Sequence, residues 1–194
     1  MAITDKQFVE TANPHSWFLV ADNLHTQAIG IRKNSGNSFL TRMNSKGTPE
    51  MKRDTTNRSI FLLGGFALEN ILKAFLVYEN PSWISNGALA KKLKSHSLTE
   101  LSDLSTLIPH KTDGQWVLKG FENGLESWAR YPCSLSKDDT QEEEELSEKL
   151  WEGYMWLITA YSTSLKELLE KNWRGPHGFE GHYKFEGNFF ASDE

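Results

Sequence analysis

The chain has 194 residues, 38% hydrophobic and 12% aromatic, which is enough apolar material for one domain with a sizeable core and too much for a disordered segment. Its formal net charge of −5 excludes a uniformly basic nucleic-acid binder. The only cysteine, Cys133, excludes an intrachain disulfide and any cysteine-built zinc site, and it fits a reducing, cytoplasmic setting.

The opening "MAITDKQFVETANP" has no basic start followed by an apolar stretch, so no secretion signal is expected. No apolar run approaches the roughly 20 residues of a membrane span, and no membrane partner is expected. The charge is unevenly spread. Residues 1–97 carry 12 Lys/Arg against 7 Asp/Glu, and residues 98–194 carry 9 against 19. A local basic surface therefore stays open in the first half.

Residues 15–33, "HSWFLVADNLHTQAIGIRK", place Trp17, Val20, Ala21, Leu24, Ala28 and Ile31 at spacings of three and four. That period predicts a helix, with Asn13-Pro14 as its start signal. Residues 34–54, "NSGNSFLTRMNSKGTPEMKRD", are polar and carry Gly36, Gly47 and Pro49, which predicts a long loop. From Arg32 to Arg58 there are seven basic and two acidic residues. The segment reads either as a solvated loop or as a phosphate-contacting arm.

Residues 55–79 predict a second helix, capped by Thr55 or Thr56 and ended by Asn80-Pro81. Apolar residues cover nearly its whole circumference, so it should be the most buried element. Gly64 and Gly65 cost helix propensity, on the order of 1 kcal/mol each, and mark the close approach of another helix. Two shorter helices are expected at 87–94 and 97–107, the second opened by Ser97 and Glu100 at capping-box spacing. "IPHKTDGQ" is a turn before a helix at 115–129, which "RYPCSLSKDD" breaks with Pro132.

A long final helix is expected at 139–172. Its first turns would carry "DDTQEEEE", acids where a helix start favours them, ahead of an apolar stripe from Leu146 to Leu169. The tail "RGPHGFEGHYKFEGNFFASDE" has five aromatics, four glycines and no helical period. It reads as flexible, as a short hairpin, or as a segment docked on the body or a partner. The expected fold is all-α: a bundle on three long helices with short ones between, one domain over 1–172 and an irregular Gly/aromatic-rich tail over 173–194.

Inside the most apolar helix sit Glu69, Asn70 and Lys73. Glu69 and Lys73 lie within about 40° of each other on one face. Leu62, Phe66, Leu76 and Val77 surround them, and an unpaired charge there would be costly. Taken alone, the pair reads as an internal ion pair. It reads as a site if other polar groups converge on it. His96, between two short helices, and Arg130-Tyr131, before Pro132, lie at chain reversals from which side chains can reach inward. The six histidines show no helical metal-ligand spacing, so no metal site is expected. Phosphate loops of the Gly-Lys-Ser/Thr kind and nucleophile elbows are absent from the sequence.

"FLLGGFALENILKAFLVYENP", then "LKSHSLTEL", then "WARYP" before a long final helix resembles the HEPN group over roughly residues 15–172. These are small α-helical domains of prokaryotic toxin, defence and nucleotide-linked systems. The resemblance implies RNA or a nucleotide as ligand, a homodimer, room for a protein partner encoded nearby, and no cofactor. Many members are metal-independent endoribonucleases, whose usual signature is an arginine followed after four to six residues by a histidine. No histidine here has an arginine five to seven positions before it, and the nearest imitation is Lys91 before His96. Lysine is a point charge and lacks the bidentate fork of arginine.

The leading expectation is therefore an RNA- or nucleotide-binding domain. Arg130 would hold a phosphate, His96 would donate or accept a proton, and Glu69 would orient one of them. Lys73, Asn70 and Tyr131 would line the same pocket. The rival expectations are a non-catalytic, antitoxin-like dimeric interaction module and a metal-independent endoribonuclease with a non-standard site.

Overall fold

A computed structural model describes residues 3–133, 137–138 and 142–191. Its centre is a pair of long helices, α2 (Pro14–Lys33) and α3 (Asn57–Glu79), packed side by side. Asn13 caps α2 by accepting from the Ser16 N–H, and Pro14 stands in its first turn. Around α3 lie α4 (Leu98–Leu104), α5 (Gln115–Glu126) and α6 (Glu148–Leu169). The sequence signals anticipated α2 and α3 closely. They did not anticipate α1 (Asp5–Ala12), whose start is a Thr4–Gln7 capping box.

α3 is the spine because it is apolar on almost every side. Phe61, Leu68, Leu72, Phe75 and Leu76 are fully enclosed, and Phe18, Phe121, Tyr154 and Tyr161 close on them from the neighbouring helices. Gly64 and Gly65 are the contact with α5. A Cβ on either would stand 2.7 Å from Phe121 or Leu125, so only glycine allows the two helices this near. Among the described residues α3 alone has the length and apolarity of a membrane span, with a mean hydropathy of 1.8, and 83% of that stretch is buried inside the fold. It is the core helix of this domain.

The all-α expectation is corrected by two small sheets. The chain is 56% helical, with six helices and two two-stranded antiparallel sheets among the described residues, a mixed fold. The segment expected as a loop is a hairpin of β1 (Phe39–Met43) and β2 (Pro49–Asp54), with Leu40 opposite Arg53 and Thr41 opposite Lys52. The side chain of Asn44 closes its turn by accepting from the Lys46 and Thr48 N–H groups at 2.9 Å, and Gly47 takes φ +75°. Both faces of this hairpin are largely open to solvent, so the alternation of apolar and polar residues that announces a half-buried strand never arose.

The tail is both hairpin and docked segment. β3 (Trp173–Arg174) pairs with β4 (Glu180–Gly181), and Trp173, Phe179 and Phe190 are buried against the body. The Phe190 N–H donates to Asp22, and the ring of His25 bonds the carbonyl of Ala191 at 3.1 Å.

The last long helix is shorter than expected. It starts at Glu148, with Ser147 as a cap accepting from the Leu150 N–H. Residues 142–147 are not helical, and residues 139–141 of the expected helix lie outside the described residues. The expected helix at 87–94 is reduced to a 3-10 turn at Lys91–Lys94, with another at Pro81–Ile84.

Candidate functional site

Glu69 and Lys73 are 5% and 4% exposed, a full ion pair inside the core helix. Lys73 Nζ donates to Glu69 Oε1 at 2.6 Å and stands 5.7 Å over the ring of Trp17. The other oxygen, Oε2, faces the Nδ1 of His96 at 3.0 Å. An ionised carboxylate only accepts, so Nδ1–H is the donor in this contact, and Nε2 is the ring nitrogen left for other partners. The His96 side chain is 51% exposed. One histidine therefore has its inner nitrogen fixed by a buried carboxylate and its outer edge in solvent.

The chain directly after His96 is pinned by α4 and α5. Ser97 caps α4 by accepting from the Glu100 N–H. Glu122 of α5 accepts from the Ser97 hydroxyl at 2.9 Å and from the Thr99 N–H at 2.8 Å. The turn before it supplies Lys91, Lys92 and Lys94, with Lys92 over the ring of Trp83.

The remaining expected residues take other positions. Asn70 turns back on its own helix and donates to the Phe66 carbonyl at 2.7 Å. Arg130 lies in the turn after α5 with its guanidinium 5.4 Å over Phe66, one turn ahead of Asn70. Among the described residues no hydrogen bond or ion pair joins Arg130 to Glu69, Lys73 or His96. Tyr131 is exposed and contributes its carbonyl, which accepts from Arg58.

A second polar cluster lies at the start of α3. The hairpin, the end of α2, the start of α3 and residues 142–146 enclose a cavity of about 740 Å³. Glu143, with its side chain 10% exposed, is at its centre. Its Oε2 accepts from Arg58 Nε and Nη2 at 3.0 and 2.9 Å, and Arg53 stands 3.8 Å away. Its Oε1 accepts from Asn57 at 3.1 Å. Arg32 pairs with Glu148 and stacks 6.0 Å over Trp151. Beside the cavity, Asp54 accepts from Thr56 and from the Gly36 N–H. Partial burial pushes its carboxyl up, but the Thr56 and Gly36 hydrogen bonds and the charge of Arg32 outweigh this and hold it below its ordinary value.

The sequence showed the basic half of this cluster through the run from Arg32 to Arg58. It hid Glu143, because the acids before Ser147 read as the first turns of a helix. The available signal was Ser147 itself, a capping residue three and four positions ahead of Leu150 and Trp151.

Comparison with family models, with curated proteins and with solved structures gave no match. Among the described residues no three His, Cys, Asp or Glu side chains gather as a metal site.

Proposed function

We propose that the chain is a HEPN-like domain that binds RNA or a nucleotide in the cytoplasm, in a toxin or phage-defence setting, with His96 as its proton-handling group. The observation that supports this is the hold of Glu69 on His96 Nδ1. A carboxylate in that position fixes the tautomer and ring orientation, and it stabilises the imidazolium once Nε2 gains a proton. Lys91, Lys92, Lys94 and Arg130 supply positive charge near this histidine along the chain or along α3. Phosphate binding at such residues is salt-dependent and needs no metal.

The same observation favours one further reading, a metal-independent endoribonuclease. There His96 Nε2 would take the proton of a 2′-hydroxyl as its oxygen attacks the adjacent phosphorus and the 5′-oxygen leaves with a proton from water. A homodimer belongs to the proposal too, and the exposed Leu19, Val20, Trp116 and Trp156 are apolar surface for it to cover.

The test is binding of a labelled uridylate oligomer and of ATP to the parent, His96→Ala and Arg130→Ala, each checked for folding by thermal melting. Weaker binding by both variants with unchanged melting is the expected result. Unchanged affinity for both ligands in His96→Ala removes the proposal. Loss of oligomer cleavage in His96→Ala, with chelator present throughout, would separate nuclease from binder.

A further inference from the structure

The basic run from Arg32 to Arg58 closes around a carboxylate that the chain itself provides. Two guanidiniums and an amide surround the single carboxylate of Glu143, a donor density suited to a phosphate group. Arg53 is only loosely engaged, with its side chain 47% exposed. Lys52 lies 3.7 Å over the ring of Phe39, an exposed residue that lines the same cavity. Arginines beside an aromatic face are what a nucleotide phosphate and its base would meet. A cavity of about 740 Å³ is of ligand size.

The segment that fills the anion position is unusual in composition and conformation. Glu142 to Glu145 are four successive acids in a stretch that is not helical. Among the described residues, Glu143 is the one acid of the four with ion pairs, while Glu142 and Glu145 line the cavity without one. The segment is tied down by Asn57, which accepts from the Leu146 N–H and donates to the Glu144 carbonyl.

The cleft and the histidine site both stand against α3. At about 100° per residue, Arg58 and Glu69 differ by about 20° around α3 and by roughly 16 Å along it. Phe66, with Arg130 over it, lies between them.

We propose that the cleft beneath the hairpin binds the phosphates of a nucleotide or of an RNA strand, and that Glu143 occupies the phosphate position while no ligand is bound. The ligand class rests on the function proposed above, whereas the location rests on the cleft alone.

The experiment is titration of a labelled uridylate oligomer, and separately of labelled ATP, into the parent, Glu143→Gln, Arg53→Ala and His96→Ala over a series of salt concentrations. Glu143→Gln removes the competing charge and should tighten binding, on the order of tenfold. Arg53→Ala should weaken it and lower the salt slope by about one. Tightening for the oligomer alone identifies a strand, and tightening for both identifies a phosphate group that either ligand carries. If Glu143→Gln unfolds cooperatively, well above the binding temperature, and binds no tighter, the cleft is not the phosphate site. Should Glu143→Gln fail to fold, Glu145→Gln, which breaks no ion pair, is expected to tighten binding by a smaller factor, and no change there overturns the proposal. Binding that only His96→Ala weakens overturns the cleft and leaves the histidine site standing. Binding that only the cleft variants alter does the reverse, and no binding by any of the proteins overturns both.

Discussion

Glu69 and Glu143 are both carboxylates held by basic side chains, one at the middle of α3 and the other packed against its start. Glu69 takes its main partner, Lys73, from its own helix four residues on, at 2.6 Å and out of water. Glu143 takes its partners from two other places: Arg53 of β2, and Asn57 and Arg58 in the first turn of α3. The first cluster is fixed by the helix that carries it. The second exists only while hairpin, helix and acidic segment stay together. A rigid carboxylate suits the orientation of an imidazole, and an assembled one suits exchange with an incoming anion.

The sharpest way to break this comparison is to remove each carboxylate. Glu69→Ala leaves the Lys73 ammonium buried without its partner, and losing one member of a buried pair costs about 3–5 kcal/mol. For a chain of this size that is a fall in melting temperature of roughly 10 °C. A change under about 1 kcal/mol in thermal or urea unfolding would show that water already reaches Lys73. Glu143→Gln keeps an acceptor for Arg58, which also holds two carbonyls, so its cost should be nearer 1–2 kcal/mol. Equal losses from the two substitutions would erase the distinction between fixed and assembled clusters.

Acid sharpens the comparison, because the body and the hairpin lose different groups. His15 is buried beside the Leu169 carbonyl, to which its Nε2–H donates at 3.0 Å, with the ring of Tyr183 4.0 Å away. Burial lowers its pKa, and the Leu169 carbonyl raises it less. The folded protein thus binds this proton less readily than the unfolded chain. His15 contributes stability that is present above about pH 6.5 and is lost as pH falls from there. Asp54 is also held low, so its contribution is present above about pH 4 and is lost only in stronger acid. Urea unfolding at pH 7.5, 6 and 5 should show the first loss, and His15→Gln should flatten it. A parent stability constant from pH 7.5 to 5 contradicts this account of His15. The smallest expected effect belongs to Arg53→Ala, whose single long ion pair is half in solvent. Its unfolding free energy should stay within about 0.5 kcal/mol of the parent while its salt slope for RNA falls.

What the sequence displayed was whatever a single helix could display by itself. The period of α2, the apolar girth of α3, the Gly64-Gly65 contact and the spacing of Glu69 and Lys73 all follow from one helix seen alone. Even the approach of His96 could be anticipated, since a buried carboxylate needs donors and His96 stands at a turn facing it. Features made by two segments meeting were hidden. The hairpin buries neither face, so Phe39 to Met43 carries no period of two. The Glu143 cluster pairs residues 85 and more positions apart, and its acids fit a helix start as well as they fit a partner for arginine. The tail docks through Trp173, Phe179 and Phe190, whose spacing matches no regular element. Arg130 was expected beside Glu69 and lies over Phe66, because its turn follows an α5 three residues shorter than the expected helix.

The most direct test of the proposed function reads His96 itself. Imidazole resonances recorded by NMR during addition of the uridylate oligomer or of ATP should move for His96, whose outer edge is in solvent. Those of His15 and His25, enclosed in the body, should stay in place. Saturating additions of both ligands that leave the His96 signals where they were would contradict the account.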